Sequence, residues 1–103
     1  MEETVLMKRV VIIGDSDLSL QILDDIKSLG ASGYTYYTVH GGGSLGRRRR
    51  FTREDPTNVK IELIAPSALA HRILNHVAEN YSKRNAMIAF IDEVEVLASE
   101  NLG

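Results

Sequence analysis

One stretch of this 103-residue chain gathers the groups that an anion would need. Three consecutive glycines, Gly41 to Gly43, leave the backbone without Cβ atoms and able to adopt positive φ, so a ligand can approach the main chain closely. Ser44 adds a hydroxyl, and arginine side chains are planar donor forks that suit phosphate or carboxylate oxygens. Five of them follow, and the stretch therefore predicts an anion-binding loop: Arg47, Arg48, Arg49, Arg50 and Arg53.

Simpler interpretations of the same residue types stay open. Glycines at the end of a strand most often form a turn, and a run of arginines is most often a solvated or partner-facing loop. His40, which precedes the glycines, could sense an anion because histidine titrates near neutral pH. His71 and His76 are five residues apart on a predicted helix, about 140° around its axis, which is poor geometry for a shared metal.

The sequence contains no arrangement that predicts catalysis. We find no nucleophile with an adjacent base, no carboxylate cluster of metal-binding spacing, and no P-loop. Cysteine is absent, which excludes disulfides and thiolate chemistry. We therefore expect neither an enzyme nor a metal site.

Charge is distributed unevenly along the chain. The net charge is −2, from 12 Lys and Arg against 14 Asp and Glu, but residues 47–55 carry about +3 and the remainder about −5. Since nucleic-acid-binding domains are normally basic as a whole, a basic patch on an acidic body favours a small anion. No apolar run approaches the ~20 residues of a membrane span, and residues 1–9 contain two glutamates where a signal peptide has basic residues. We expect a single cytoplasmic domain, residues 1–103.

Hydrophobic periodicity predicts the elements that position this loop. β-branched and alternating runs predict four strands, and apolar residues spaced by three and four predict two helices. Asp15 and Ser16 can cap the first helix, Gly30 ends it, and Gly14 ends the first strand. The strands are Val5 to Ile13, Tyr34 to His40, Val59 to Ala65 and Met87 to Leu97, and the second helix covers residues 67–82.

The order of these elements predicts the fold. The series β-α-β-β-α-β is typical of the ferredoxin-like α+β sandwich, in which both helices cover one face of a four-stranded antiparallel sheet. The last strand is apolar on both faces, because Ile88 and Phe90 alternate with Ala89 and Ile91. An apolar sheet face that the helices leave open needs a cover, and self-association is the simplest one.

Three segments resemble a known family. GASGYT at residues 30–35, VHGGGS at 39–44 and NVKIELIAP at 58–66 are similar to matching segments of the PII signal-transduction proteins, in the same order. The resemblance covers almost the whole chain. It implies a homotrimer that binds adenine nucleotides in the clefts between subunits, with residues 41–57 as the T-loop that reports the bound state to a target.

The chain differs at two places from the typical nitrogen-signalling members of that family. Only Ser82 to Asn85 stand where typical members have a Gly- and Lys-rich phosphate loop, and Ala98 and Glu100 stand where they have arginines. The chain is therefore more similar to the PII-like branch linked to inorganic carbon uptake and concentration. The resemblance to that branch implies AMP or ADP as ligand, with cyclic AMP and ATP open, together with bicarbonate, and a bicarbonate transporter or carboxysome-related protein as partner.

The resemblance also implies the site residues. Groups near the second, third and last strands would hold the adenine and ribose, while the glycine and arginine loop would hold phosphates or bicarbonate. The expected nucleotide-binding residues are Gly33, Tyr34, Thr35, Gly41, Gly42, Gly43, Ser44, Arg47, Arg49, Glu62, Ile64, Ile88 and Phe90. The expected bicarbonate-binding residues are Gly43, Ser44, Arg47, Arg48 and Arg50.

Two alternatives come from other classes. A small nucleic-acid-binding module would place aromatic residues on an open sheet beside a basic loop. The net negative charge disfavours it, and so do the strands that we expect to be the inner pair, Val5 to Ile13 and Met87 to Leu97, where Phe90 alone is aromatic. A structural trimer with a membrane- or partner-facing arginine loop is the other alternative. We expect no nucleic-acid partner.

Overall fold

A computed structural model describes residues 3–40 and 58–98. Four strands and two α-helices follow one another in the predicted order, which confirms the ferredoxin-like fold. Their bounds are β1 (Thr4–Asp15), α1 (Ser19–Leu29), β2 (Thr35–Val39), β3 (Asn58–Ala65), α2 (Ser67–Val77) and β4 (Ile88–Leu97). Within these two ranges no helix is both long and apolar enough to cross a membrane.

The sheet has the strand order β2-β3-β1-β4, and every neighbouring pair is antiparallel. The expectation that Met87 to Leu97 is an inner strand is therefore wrong, because β4 lies at an edge. In each βαβ unit the two strands are parallel and have room for one more strand between them. The first strand of the other unit lies in that place. This interleaving puts β1 and β3 in the centre.

The first strand continues past the predicted stop at Gly14. Gly14 pairs with Val59 and the ladder extends to Asp15, so Gly14 does not end the strand. A Cβ atom on Gly14 would lie 3.0 Å from Cε of Met87. A larger residue here would therefore require the Met87 side chain to shift by a few tenths of an ångström. The Asp15 side chain then accepts a hydrogen bond from the backbone N–H of Asp17 at 2.9 Å, which caps a short 3₁₀ turn ahead of α1.

The core lies between the helices and one face of the sheet. Strand alternation sends Val59, Ile61 and Leu63 of β3 to this face, as their spacing predicts, and all three are buried. They pack with Val10 and Ile12 of β1. The helices contribute Ile22, Leu23, Ile26, Ala70, Ile73 and Val77.

The second helix does not keep α geometry to residue 82. It changes at Ala78 to a single π-helical turn, Ala78–Ser82, in which hydrogen bonds span five residues. The ring of Tyr81 in this turn is buried against the core. The turn therefore places an aromatic anchor at the end of α2.

The end of α1 depends on a glycine and an arginine. Gly30 has φ of 120°, a conformation that residues with a Cβ rarely adopt, and its N–H bonds back to Ile26 and Lys27. The prediction that Gly30 ends this helix is confirmed. Arg72 of α2 donates a hydrogen bond from Nη2 to the Leu29 carbonyl at 2.8 Å and so joins the two helices.

Replacing Gly30 tests this helix end. We expect Gly30→Ala to lower the free energy of unfolding by about 1–3 kcal/mol, because alanine is strained at this φ. Gly33→Ala is the matched control, since an added Cβ there would have nothing within 4 Å. Urea unfolding followed by circular dichroism measures both variants. Equal stability of the two variants would contradict this account of the cap.

Candidate functional site

The two ends of the glycine and arginine segment lie side by side at one end of the sheet. Val39, at the end of β2, pairs with Asn58, at the start of β3, and Asn58 pairs in turn with Asp15. We call this the loop end of the sheet; β1 and β2 end there, and β3 and β4 begin there. Segment 41–57 must leave and return at this end, and it lies outside the described residues. The site predictions on it stay predictions: Gly41, Gly42, Gly43, Ser44, Arg47, Arg48, Arg49 and Arg50.

The sheet face opposite the helices, here called the open face, carries exposed apolar side chains. On β4, Ala89 and Ile91 pack toward the core, whereas Ile88 and Phe90 point the other way and remain 43% and 40% exposed. Val5 of β1 shares this face by alternation and is also exposed. Such a patch on a small protein marks an interaction surface.

A line of polar side chains crosses the open face through all four strands. The Tyr37 hydroxyl of β2 donates to Oε2 of Glu62 on β3 at 2.5 Å, and Nζ of Lys60 lies 3.5 Å from the same oxygen. Arg9 of β1 reaches Glu62 at 3.8 Å and donates twice to the Asp92 carboxylate of β4, at 3.0 and 2.8 Å. We call these five residues the ionic stripe. Charges on this face are therefore paired within one chain.

The hydrogen bonds of the ionic stripe favour the charged forms of its two carboxylates, Glu62 and Asp92. The Tyr37 hydroxyl lowers the pKa of Glu62, burial opposes that shift, and Lys60 and Arg9 add to it. The bidentate contact with Arg9 lowers the pKa of Asp92 in the same way. Both carboxylates are anionic at neutral pH.

Three of the expected nucleotide-binding residues are brought together on β2 and β3. Thr35 pairs directly with Glu62, and Ile64 follows two residues later on the same face. Gly33 and Tyr34 come just before β2. The Tyr34 ring, however, packs against the core on the helix side, where Nζ of Lys27 lies 5.5 Å from its centroid.

The other two described candidates stand apart from this group. Ile88 and Phe90 lie on β4, and β1 separates them from β3. Two inter-strand spacings amount to about 10 Å. Within one copy, the candidate residues therefore lie on both sides of β1.

Sequence reasoning missed a polar cluster on the helix layer. Oδ2 of Asp25, on α1, accepts a hydrogen bond from the Tyr81 hydroxyl and lies 2.8 Å from Nε2 of His76. Burial raises the pKa of Tyr81, and the bond to Asp25 adds to the shift. Burial alone would raise the pKa of Asp25, but the bonds from Tyr81 and His76 outweigh it and lower that pKa. The sequence signal for this cluster is Tyr81, on the apolar face of the second helix, because a buried tyrosine hydroxyl requires a hydrogen-bond partner.

The two histidines of α2, whose spacing does not predict a shared metal, have ordinary local partners. Nδ1 of His71 lies 2.8 Å from the Ser67 carbonyl, one turn earlier on α2, and His76 faces Asp25. Among the residues that the structure describes, no three histidine, aspartate or glutamate side chains are grouped to hold a metal ion.

These features define a class of proteins: ferredoxin-like sandwiches in which one sheet face is open. In this class a long β2–β3 connection starts and ends at the loop end of the sheet. Comparison with known proteins names the family. The family model described as "Nitrogen regulatory protein P-II" matches residues 7–101, and the chain belongs to this family of regulatory proteins. A search of curated proteins finds no match.

Solved structures agree with this assignment. A PII-like signalling protein of Thermus thermophilus is 34% identical, with a TM-score of 0.77 over 92% of this chain and 93% of that one. CPII of Thiomonas intermedia K12, bound to ADP and bicarbonate, is 19% identical, with a TM-score of 0.79 over 95% of each chain. B. subtilis GlnK, in complex with ATP, is 18% identical, with a TM-score of 0.59 over 86% and 82%. At these low identities, the similarity to CPII and GlnK shows the fold alone.

Removing one hydroxyl tests the ionic stripe. We expect Tyr37→Phe to raise the pKa of Glu62 toward its ordinary value, because the largest cause of the lowered pKa is lost. A carboxylate with a lowered folded pKa stabilises the fold above its unfolded pKa, and this contribution disappears as pH falls through the folded pKa. The variant should therefore lose less stability on acidification. Titration of the Glu62 carboxyl by NMR measures the shift.

The control for this experiment is Tyr36→Phe. Tyr36 neighbours Tyr37 but lies on the other face of β2 and is 51% exposed. Its replacement should leave the Glu62 titration unchanged. An unchanged Glu62 pKa in Tyr37→Phe would show that the hydroxyl does not hold this carboxylate.

Proposed function

We propose that this P-II family chain is a nucleotide-responsive regulator of inorganic carbon uptake or concentration. It binds AMP or ADP in clefts between three copies and bicarbonate at the arginine segment, and the T-loop, residues 41–57, transmits the bound state to a protein partner. The observation that carries the proposal is the combination of a P-II fold with the Gly41–Gly43 and Arg47–Arg50 series at its loop end.

The relatives support the choice of ligands. CPII, which has the same fold over 95% of its chain, has a structure bound to ADP and bicarbonate. In this chain, Arg47, Arg48 and Arg50 supply guanidinium forks that match the two oxygens of a planar bicarbonate. Gly41 to Ser44 supply backbone and hydroxyl donors suited to a phosphate.

The open face supports assembly into a trimer. Ile88 and Phe90 are exposed in one copy, and the expected adenine-binding residues divide between the β2–β3 side and β4. A second copy that supplies β4 to the first copy's β2–β3 side would complete the cleft. The internally paired ionic stripe allows this face to be covered without leaving a charge unpartnered.

Calorimetry tests ligand binding. We expect AMP or ADP to bind in the micromolar range, with affinity that rises when bicarbonate is present. Linkage requires the nucleotide to tighten bicarbonate by the same factor. A variant with glutamine at positions 47, 48, 49 and 50 should lose the bicarbonate effect, because the guanidinium forks are gone. The absence of heat with AMP, ADP, ATP and cyclic AMP would refute the proposal.

A charge on the open face tests the assembly. We expect Phe90→Asp to convert a trimer to monomers, because a covered interface would then contain an unpaired carboxylate. Leu20→Asp is the control, since Leu20 is 72% exposed on α1 rather than on the sheet. Light scattering coupled to size exclusion gives both masses. A wild-type monomer, or a trimer in Phe90→Asp, would exclude this interface.

A further inference from the structure

A groove of about 510 Å³ runs along the exposed side of α2, beside the end of α1. This volume is within the range of small-molecule sites, about 300–1,000 Å³. Most of its lining comes from α2 and the π turn at spacings of three and four, which places the side chains on one side of the helix. None of these residues belongs to the site proposed above. The lining residues are Leu29, Arg72, Asn75, His76, Glu79 and Asn80.

The groove offers one uncompensated charge of each sign. Arg72 donates from Nη2 to the Leu29 carbonyl at 2.8 Å, which fixes the guanidinium against α1. That carbonyl is neutral and takes one of the five N–H donors, so the positive charge remains available. Within residues 3–40 and 58–98, no ion pair involves Arg72 or Glu79. A ligand in the groove can therefore meet a fixed cation and a free carboxylate.

The contact between Asp25 and His76 orients an acceptor next to Glu79. Asp25 is ionised and only accepts, so Nε2 of His76 donates to it and Nδ1 is the acceptor of the neutral ring. Nδ2 of Asn80 lies 3.2 Å from that Nδ1 and donates to the His76 carbonyl at 2.9 Å. Since these contacts occupy the amide nitrogen, Oδ1 of Asn80 is left as an acceptor among the described residues.

The spacing of the two charges selects the length of a ligand. Arg72 and Glu79 are seven residues apart, which is about 10 Å along a helix axis. An extended chain of three residues spans about the same distance, at roughly 3.3 Å per residue. Asn75 lies one turn from each charge, and its carboxamide offers both a donor and an acceptor, as a peptide group requires.

We propose that this groove binds a short peptide of about three residues with both termini free. Its carboxylate pairs with Arg72, and its ammonium group pairs with Glu79 and Oδ1 of Asn80. A peptide group between the termini bonds to the Asn75 carboxamide. The inference goes beyond the proposed function, and its test uses no nucleotide.

Titration of the isotope-labelled protein with trialanine, followed by NMR, tests the site. We expect saturable shifts of the backbone amides of residues 72–80. Trialanine amide lacks the carboxylate, and N-acetyl-trialanine lacks the ammonium group. Each should bind about fivefold more weakly, which is the upper end for an exposed ion pair. These peptides change no residue of the protein, so the comparison does not depend on the folding of a variant.

Two variants assign the termini to their partners. Arg72→Gln should bind trialanine and its amide equally, and Glu79→Gln should bind trialanine and its N-acetyl form equally, because the partner charge of that terminus is gone. Lys83→Gln is the matched control, since Lys83 is an exposed cation that does not line the groove. It should keep the wild-type preference for both free termini.

Three results would overturn the inference. One is the absence of saturable shifts with trialanine in the millimolar range. Another is equal binding of trialanine and the doubly blocked peptide, which would assign the groove to an interior segment of a protein partner. The third is a wild-type preference for the free carboxylate in Arg72→Gln, or its loss in Lys83→Gln.

Discussion

A sheet that carries both of its helices on one side leaves its other side open, and this constraint governs the molecule. The helix face of β1 and β3 is a closed apolar core. On the open face, Val11 is fully buried by its neighbours within one copy, whereas Phe90 and Ile88 at the edge strand remain exposed. The ionic stripe crosses the same face with its charges already paired. Because a paired charge costs less to bury than an isolated one, this pairing lowers the cost of covering the face.

The sequence predicts most of the fold because the relevant signals are local. Alternation in Val59, Ile61 and Leu63 and the helical spacing of Ile22 and Ile26 each follow from the geometry of one element. The errors concern contacts between elements. The place of β4 at an edge depends on how two βαβ units interleave, and the tight packing at Gly14 involves Met87. Tyr81 of the π turn bonds to Asp25, which precedes it by 56 residues.

The candidate site also contains contacts that the sequence predicts and contacts that it does not. Thr35 and Glu62 can be grouped from the family's motifs, and the strand register places them as neighbours. Arg9 and Asp92 are 83 residues apart, and no periodicity reveals that β1 and β4 align them. Tyr37 could be assigned to the open face by alternation, but its bond to Glu62 requires the β2–β3 register. Contacts that depend on residue type can thus be predicted from the sequence, whereas contacts that depend on strand pairing cannot.

Glu62 shows how the proposed ligand contact and the ionic stripe can coexist. An ionised carboxylate offers about four acceptor positions on its two oxygens. Tyr37 and Lys60 both approach Oε2, and Arg9 approaches Oε1 at the longer distance of 3.8 Å. Oε1 therefore retains acceptor capacity on the face that a second copy would cover. A ribose hydroxyl could donate there without displacing Tyr37, so nucleotide binding would add a donor to a carboxylate that the stripe already keeps ionised and oriented.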